Sequence, residues 1–488
     1  MTGSTSETTP AELDAALDEA VAAAAILATS NLESRAAWLD AMADALDDEA
    51  GQLVPLAADE THLTTARLTG ELARTTFQLR LFAKIVREGG FLDVTVDHAD
   101  AEWGMGPRPE LRRTMVPLGP VAVYAASNFP FAFSVAGGDT ASALAAGCPV
   151  IVKANPGHPL LSLRVGSICR TALSAAGAPA GTLAVVFGYE LGTALVADPR
   201  IAAASFTGSP SGGRALFDLA NTRAHPIPFY AEMGSINPSV ITASAVEQRG
   251  DQIADGFVAS VAMGVGQFCT KPGVLFVPVG SRIISMIARI AAEQTGASML
   301  SERLHAGYGA ALGALADHPD VRLLSGSTQL SGQPAPTILA TSATAFLADP
   351  ARLTAEVFGP TALLVEYDDD AQLLEALRVI EGQLTATIQA EGDETVLPAL
   401  LELLVARAGR VIWNGWPTGV SVTYAMQHGG PYPATTSSQS TSVGTAGIRR
   451  FLRPVAFQNM PDALLPPALR DRNPWHLPRL VDGSAQPA

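Results

Sequence analysis

The chain has 488 residues, of which 48% are hydrophobic and 16% charged, with a formal net charge of −16 at pH 7. This composition excludes a mostly disordered protein, and the acidic balance argues against nucleic-acid binding because an acidic surface repels a phosphate backbone. No apolar run approaches the ~20 residues of a membrane span, no secretion signal follows Met1, and three cysteines cannot form a disulfide framework, so we expect a cytoplasmic protein of two or three domains.

The N-terminal part of the chain has helical spacing. From position 10 to about position 89, apolar residues such as Leu13, Leu17 and Val21 recur every three or four residues, which predicts helices. Residues 93–113 then mix polar side chains with glycine and proline. This segment is expected to form either a loop or an arm of edge strands beside the main body.

The next stretch alternates two kinds of segment. Short runs rich in small and β-branched residues predict buried strands at 121–126, 149–153, 183–187 and 202–206. Alanine- and leucine-rich segments between and after them predict helices at 134–146, 160–176, 191–196 and 212–220. Such alternation is typical of βαβ units, so we predict a doubly wound α/β domain with its ligand at the carboxyl ends of parallel strands.

A second alternating block begins near position 238. It contains helix-like segments at 251–261 and 283–292 and strand-like runs at 274–279, 361–365 and 410–413. No repeat or low-complexity linker separates the two blocks, so we expect two closely packed α/β lobes. The proline-rich C-terminal segment predicts an extended tail that is either disordered or laid against a partner subunit.

Cys269 is the best candidate nucleophile among the cysteines. It lies in GVGQFCTKPG, where a helix is expected to end at a glycine and proline loop, and backbone amides in such a turn stabilise a thiolate. Cys148 and Cys169 lie in surroundings typical of buried structural cysteines. We therefore assign the reactive thiol to the polar loop around Cys269.

Two further polar residues stand next to predicted strand ends. Glu232, in FYAEMGSIN, is either an exposed loop acid or a partly desolvated carboxylate whose raised pKa makes it a general base. Asn128, in AASNFPFAF, either donates its amide to an oxyanion or simply forms a turn before Phe-Pro.

A glycine turn and a lysine follow two other predicted strands. FTGSPSGG, with Gly208, Ser209 and Gly213, leads into a helix and suits a dinucleotide pyrophosphate, although its spacing is not the G-x-G-x-x-G fingerprint. Lys153 is expected either to point into the cofactor crevice or to be a solvated loop lysine. The histidines and cysteines form no ligand cluster along the sequence, so we predict no metal site.

In chain order, these segments resemble the aldehyde dehydrogenase superfamily over almost the whole length. The matching segments are PLGPVAVYAASNFPFAF, VIVKANP, FTGSPSGG, AEMGSINP, GQFCTKPG, EVFGP and WNGWPTGV. More narrowly, AEMGSINP, GQFCTKPG, HGGPYPATT and ETHLTTARLTGELARTTFQLRLFA resemble the α-ketoglutaric semialdehyde (2,5-dioxopentanoate) dehydrogenases. NADP-dependent fatty aldehyde dehydrogenases share much of that pattern.

The resemblance implies a catalytic role for three residues. Cys269 would be the nucleophile, Glu232 the general base and Asn128 the oxyanion donor. An aldehyde would then be oxidised to an acid through a thiohemiacetal and a thioester on the cysteine.

The resemblance also implies a dinucleotide site. Lys153 is expected at the adenine ribose, and Glu356 and Phe358 at the nicotinamide ribose and ring. The cofactor turn contributes Gly208, Ser209 and Gly213. Many NAD-preferring members carry Glu three residues after the ribose lysine, where this chain has Pro156. Without that negative charge, we expect NADP to be preferred, with NAD as the alternative.

An oxo-acid substrate needs a cation for its carboxylate. Arg74 and Arg80 are the candidates, on a helix that borders the substrate tunnel in this family, and ordinary surface arginines are the alternative. The other candidate substrate residues are Phe77, Gln78, Phe268 and Trp416. Aromatic residues of this kind suit a longer apolar aldehyde equally well.

The expected function is therefore NAD(P)-dependent oxidation of 2,5-dioxopentanoate to 2-oxoglutarate. An NADP-dependent fatty or aromatic aldehyde dehydrogenase is the first alternative. A CoA-acylating enzyme is the alternative from another class, and Glu232 argues against it because such relatives usually lack the general-base glutamate.

The family further implies a three-part α/β architecture. The cofactor domain would comprise residues 1–90 and 116–236, the catalytic domain 237–446, and a small β oligomerisation element with the tail 91–115 and 447–488. A homodimer or homotetramer is expected, in which a strand near 449–458 continues the catalytic sheet of a partner subunit.

Overall fold

Helices form the N-terminal part of the protein. The computed structural model describes residues 6–330 and 332–487. Its first helices are α1 (Pro10–Thr29), α2 (Leu32–Asp48), α3 (Ala50–Thr61) and α4 (Thr65–Glu88), as the sequence pattern predicts. Thr9 and Glu12 form a capping box that begins α1, and Gly89, with φ of 66°, ends α4 in the left-handed conformation that glycine adopts without strain.

A first pair of strands, β1 (Val94–Asp97) and β2 (Leu111–Pro117), follows these helices. The strands pair antiparallel, with Thr95 opposite Arg113. Of the two structures expected for residues 93–113, the structure therefore contains the strand arm, and a loop joins its two strands.

A five-stranded parallel sheet comes next in the chain. Its strands are β3 (Val121–Tyr124), β4 (Val150–Lys153), β5 (Leu183–Val186), β6 (Ala203–Thr207) and β7 (Phe229–Glu232), in the order β5-β4-β3-β6-β7. The accompanying helices are α5 (Gly138–Ala146), α6 (Pro159–Ala175), α7 (Leu191–Ala197) and α8 (Pro210–Thr222). All neighbouring strands pair parallel. The predicted doubly wound sheet is confirmed.

One helix that accompanies this sheet begins several residues later than the sequence predicts. The helix expected from position 134 begins at Gly138 instead. The preceding residues form turns in which the N–H groups of Phe131 and Ala132 donate to the Glu71 carboxylate of α4, at 2.8 and 3.0 Å. A tertiary contact, which local periodicity does not contain, therefore delays the start of α5.

The second lobe contains a seven-stranded sheet. Its strands are β8 (Ser239–Ile241), β9 (Val274–Pro278), β10 (Arg322–Ser325), β11 (Thr337–Ser342), β12 (Thr361–Tyr367), β13 (Gln383–Gln389) and β14 (Ala408–Trp413), in the order β10-β11-β12-β9-β8-β13-β14. Only the β10–β11 pair within it is antiparallel. The helices are α9 (Ala243–Ala262), α10 (Arg282–Ala292), α11 (Glu302–Ala316), α12 (Ala343–Ala348), α13 (Pro350–Leu353), α14 (Asp370–Arg378) and α15 (Leu397–Val405).

The C-terminal strands complete the arm that β1 and β2 begin. They are β15 (Leu452–Gln458), β16 (Arg479–Val481) and β17 (Ser484–Gln486), and the sheet order is β15-β2-β1-β16-β17. The described residues of the tail are not disordered but form these strands and pack within the chain. Leu465, Leu469 and Leu477 are buried in the same core cluster as α2 and α4, because this apolar surface is available within the chain.

The described helices include none with both the length and the apolar character needed to cross a membrane. The candidate functional residues lie near the carboxyl ends of parallel strands. Glu232 is the last residue of β7, and Lys153 is the last residue of β4.

Candidate active site

Cys269 is presented by a strained turn that follows α9. Gly264, Val265 and Gly266 have φ values of 57°, 58° and 65°, and a β-branched residue such as Val265 adopts this conformation only at a cost of roughly 1–3 kcal/mol. Asn237 holds the loop by donating to the carbonyl oxygens of Cys269 and Lys271, both at 2.8 Å. The turn leaves Cys269 half-buried.

The other two cysteines differ from Cys269 in their surroundings. Cys148 and Cys169 are fully buried, and burial raises the pKa of both thiols, to about 11 and about 12. The pKa of Cys269 is also well above its usual value, because of burial and then because of the negative charge of Glu232. A thiol in this setting needs a base beside it to become a nucleophile.

Glu232 provides such a base within the same buried space. The side chain is 3% exposed, and its Oε2 accepts a hydrogen bond from Ser442 at 2.5 Å. Its Oε1 lies 3.0 Å from Nε2 of His428. Burial alone would raise the pKa of Glu232, but the charge of His428 and the hydrogen bonds from His428 and Ser442 outweigh it, so the net pKa is lowered. The net shift is thus opposite to the raised pKa expected from the sequence, because these polar partners are distant in the chain.

His428 is the residue that the sequence analysis missed. Its Nε2 lies 3.5 Å from Sγ of Cys269 as well as 3.0 Å from Glu232, and its Nδ1 is buried without a hydrogen-bond partner among the described residues. The backbone N–H of His428 donates to Thr441 at 2.8 Å, which orients the segment. The signal was present, since HGGPYPATT carries part of the family resemblance, but the ring itself had no sequence neighbour to suggest a role.

Glu232, Cys269 and His428 also concern the expectation that the chain has no metal site. The donor atoms of Glu232, Cys269 and His428 lie within 4.8 Å of one another, so the fold assembles a possible ligand group that the sequence spacing did not indicate. The hydrogen-bond lengths within the group are also those of an acid–base cluster.

Asn128 lies beside the thiol loop. Its Nδ2 donates to the carbonyl of Gln267 at 3.0 Å, which leaves the second amide hydrogen available to another acceptor. Phe129 packs edge-on against Phe268 with ring centroids 5.3 Å apart. The loop after β3 and the loop of Cys269 are thus held together by one polar and one aromatic contact.

The predicted cofactor turn begins α8. Ser209 caps the helix by accepting from the N–H of Gly212 at 3.3 Å. A Cβ at Gly208 would lie 2.7 Å from the Phe206 ring, and one at Gly213 would lie 2.8 Å from Met233, so a larger residue at either position would have to displace that side chain. The result is a helix N-terminus at the carboxyl end of β6, which is a site suited to phosphate groups.

The other predicted cofactor residues lie on both sides of this turn. Lys153 is half-buried, and burial lowers its pKa. Glu356 lies against Gly234, where a Cβ would be 2.9 Å from Pro210 of the turn, and burial raises the pKa of Glu356. Phe358 is half-buried.

Lys271, which follows the thiol loop, is turned away from it. Its Nζ donates to the carbonyl oxygens of Val357 at 2.8 Å and Thr361 at 2.7 Å. Burial lowers the pKa of Lys271 to about 8. Its charge therefore acts on the segment that carries Glu356 rather than directly on Cys269.

The predicted substrate residues separate into two groups. Arg74 stacks over Phe133 at 5.3 Å, and the Phe133 ring lies 6.5 Å from that of His428, which contacts the thiol. Phe268 directly precedes Cys269. Arg80 instead pairs its guanidinium with Asp44 at 2.6 Å and Asp47 at 2.7 Å on the surface. The structure therefore does not bring Arg80 into contact with the residues around Cys269.

Three more predicted substrate residues lie apart from the thiol contacts. Phe77 is 53% exposed. Gln78 is buried beside Gly138, where a Cβ would lie 3.1 Å from its Nε2. Trp416 packs on Phe257 of α9, with centroids 5.4 Å apart.

Comparison with known proteins adds independent findings. A family model described as "Aldehyde dehydrogenase family" matches residues 1–454. The chain is 47% identical over 463 residues to alpha-ketoglutaric semialdehyde dehydrogenase 2 of Azospirillum brasilense, covering 93% of this chain and 88% of that protein. It is 43% identical over 486 residues to alpha-ketoglutaric semialdehyde dehydrogenase of Acinetobacter baylyi, covering 98% and 92%.

Two solved structures have the same fold. A 1-pyrroline-5-carboxylate dehydrogenase from Thermus with bound NAD gives a TM-score of 0.78 at 22% identity, covering 93% of this chain and 86% of that one. A 3,6-anhydro-L-galactose dehydrogenase in complex with NAP gives 0.79 at 21% identity, covering 92% of each chain. These two structures show that the fold of this chain is the fold of both proteins.

Proposed function

The chain belongs to the aldehyde dehydrogenase family, and on that premise we propose that it oxidises 2,5-dioxopentanoate to 2-oxoglutarate, with NADP as the preferred oxidant. The enzyme is an oxidoreductase that acts on aldehydes. The names of the Azospirillum and Acinetobacter relatives support the choice of substrate. The observation that carries the proposed chemistry is the buried contact of Cys269 and Glu232 with one ring nitrogen of His428.

The first step is attack of the Cys269 sulfur on the aldehyde carbon. Because the thiol pKa is raised, the proton must go to a neighbouring base, and the pair formed by Glu232 and His428 accepts it. The carbonyl oxygen becomes an oxyanion. The free amide hydrogen of Asn128 and the backbone N–H of Cys269 are the donors that stabilise it.

The residues around α8 fit a dinucleotide. Gly208 and Gly213, where an added Cβ would collide with Phe206 and Met233, lie at the N-terminus of α8. Lys153 is the last residue of β4 in the same sheet. When bound, NAD(P) supplies the two-electron hydride acceptor. Loss of hydride from the thiohemiacetal carbon leaves a thioester on Cys269. After the proton taken from the thiol has passed to solvent, Glu232 takes a proton from water and the water oxygen attacks the thioester. The acid leaves as Glu232 returns this proton to the Cys269 sulfur.

The preference for NADP rests on charge. Pro156 is exposed at the position where a carboxylate would repel a 2′-phosphate, and Lys153 is three residues before it. Two other basic residues have partners within the chain. His158 is buried and bonds to the carbonyl of Ala126 at 3.0 Å, and Arg214 pairs with Asp218 at 2.8 Å.

The oligomer implied by the family also remains a proposal. β15 and β14 each lie at one edge of their sheet, so each presents an unpaired edge among the described residues. We propose that β15 of one subunit extends the β14 edge of another. Light scattering coupled to gel filtration would detect the expected dimer or tetramer, and a monomer at micromolar concentration would refute it.

Steady-state kinetics on a panel of aldehydes tests the function. The panel combines 2,5-dioxopentanoate with fatty and aromatic aldehydes, each with NADP and NAD, in buffer without CoA. We expect the highest kcat/KM for 2,5-dioxopentanoate with NADP, and release of free acid. A higher kcat/KM for decanal or benzaldehyde would overturn the substrate, and a requirement for CoA would overturn the hydrolytic mechanism.

A further inference from the structure

Two arginines of α4 face the thiol side of the protein. Arg67, Glu71 and Arg74 are spaced by four and three residues, so they lie on one face of the helix. The guanidinium of Arg67 lies between the rings of Phe129 and Phe268, at 5.0 and 4.8 Å from their centroids. Arg74 stacks on Phe133, which in turn lies 6.5 Å from the ring of His428.

The two guanidinium groups lack the partners that buried cations normally have. Among the described residues, Arg74 makes no hydrogen bond or ion pair, and its Nη1 is buried. Arg67 makes one hydrogen bond, from Nη2 to the carbonyl of Asn128 at 2.6 Å, and its Nη1 is likewise buried without a partner. An unpaired buried charge is costly, so such groups are normally matched by an anion.

Other buried or half-buried arginines of the chain have ion-pair or hydrogen-bond partners at their terminal nitrogens. Arg450 pairs with Asp139 at 2.7 Å, and Arg112 pairs with Glu110 and Asp471, both at 2.6 Å. Arg410 uses its terminal nitrogens on backbone carbonyls of the loop after β14. Arg74 differs from all three, although it is largely enclosed.

Glu71 offsets only part of this positive charge. One of its oxygens accepts the N–H groups of Phe131 and Ala132 at 2.8 and 3.0 Å, so the carboxylate is turned toward the backbone. With all three groups ionised, Arg67, Glu71 and Arg74 carry a net charge of +1. A carboxylate from a ligand would make the group neutral and would match the planar fork of a guanidinium.

The two aromatic residues that contact Arg67 are sequence neighbours of the proposed reactive residues. Phe268 directly precedes Cys269, and Phe129 directly follows Asn128. An aldehyde whose carbonyl carbon is at Cys269 would therefore extend past these rings toward α4. We propose that Arg74, assisted by Arg67, binds the carboxylate at the far end of an ω-oxo acid substrate. This inference rests on the proposed function, because it assumes that the aldehyde reacts at Cys269.

The test compares two aldehydes of equal carbon number, 5-oxopentanoate and pentanal, in wild type and in Arg74→Gln. The quantity measured is the ratio of their kcat/KM values. We expect wild type to favour 5-oxopentanoate, and Arg74→Gln to lower the ratio roughly 10- to 100-fold, mainly through KM. Arg87→Gln, which removes an exposed arginine of the same helix that pairs with Glu33, is the matched control and should leave the ratio within twofold of wild type.

Arg67→Gln is informative in a different way. Because Arg67 also holds the Asn128 carbonyl, its loss is expected to lower kcat for both aldehydes and to lower the ratio as well. A fall in kcat for both aldehydes with an unchanged ratio would show that Arg67 acts only by positioning Asn128, and would remove it from the proposal.

The remaining outcomes separate this inference from the proposed function. If wild type reduces NADP with pentanal but does not favour 5-oxopentanoate, or if Arg74→Gln keeps the wild-type ratio, the carboxylate site is wrong and the aldehyde dehydrogenase function stands. If neither aldehyde is oxidised, the proposed function fails first. Should Arg74→Gln not fold, inhibition of wild type decides instead: glutarate must compete with pentanal at least tenfold better than glutaramide does.

Discussion

Nε2 of His428 lies 3.0 Å from Oε1 of Glu232, in a buried contact between residues 196 positions apart. Glu232 ends a strand of the first lobe, whereas His428 lies in the segment after β14 of the second lobe. The contact orients the carboxylate beside the thiol and lowers its pKa against the effect of burial. It gives the proposed base a fixed position and keeps it ionised.

Replacement of His428 tests this relationship. His428→Asn removes a charge and a hydrogen bond that lower the Glu232 pKa, so that pKa should rise and the acid limb of the kcat/KM profile should move to higher pH. We expect a loss in rate of roughly 10²-fold at pH 7. Ser442→Ala, which removes only the other hydrogen bond, should shift the same limb less. An acid limb that does not move in His428→Asn would contradict the coupling.

The pKa of Cys269 gives a second prediction. Burial and then the negative charge of Glu232 raise this pKa, so Glu232→Gln should lower it. The rate of alkylation by iodoacetamide, followed from pH 6 to 10 with the modified peptide identified by mass spectrometry, should then reach its midpoint at a lower pH in the variant. Cys148 and Cys169 should remain unmodified in the native protein because both are fully buried. A midpoint that stays or moves upward would be inconsistent with this electrostatic arrangement.

Asn128 gives a third prediction. Asn128→Ala removes the amide proposed to stabilise the oxyanion and should lower kcat roughly 10²–10³-fold. The KM for NADP should change little, since the amide contacts the thiol loop through Gln267 and not the turn at α8. The experiment is a steady-state titration of both substrates. A variant with kcat within threefold of wild type would exclude Asn128 from oxyanion stabilisation.

Cofactor choice depends in this account on the absence of a carboxylate at position 156. Pro156→Glu should lower kcat/KM for NADP roughly tenfold or more relative to NAD, because it places a negative charge where a 2′-phosphate is expected. Pro156→Gln adds a side chain of similar size without the charge and should change the ratio much less. A wild-type preference for NAD would contradict the assignment outright.

Much of the fold was predictable because it depends on local patterns. Buried parallel strands need runs of small and β-branched residues, and β3, β4, β5 and β6 lie where such runs occur. Cys269, Glu232 and Asn128 were also accessible from the sequence, since each lies at or shortly after the end of an element. What the sequence could not supply was the partner of each group.

His428 and Arg80 illustrate two kinds of contact that the sequence does not indicate. His428 reaches the site from a loop without periodicity, so nothing in its neighbours indicates the contact with Glu232. Arg80 follows Arg74 by six residues, which at ~100° per residue places the two roughly 120° apart around α4 and directs Arg80 to Asp44 and Asp47. Arg67, seven residues before Arg74, returns to within ~20° of its direction and faces the same aromatic residues.

The most direct test is a single turnover of Glu232→Gln. This variant keeps the thiol but lacks the carboxylate proposed to activate water, so mixing it with 2,5-dioxopentanoate and NADP should give a burst of up to one NADPH per subunit. After acid quench, the acyl group should be found on the peptide that contains Cys269. A burst of NADPH without acylation of Cys269, or NADPH production by Cys269→Ser at the wild-type rate, would contradict the account.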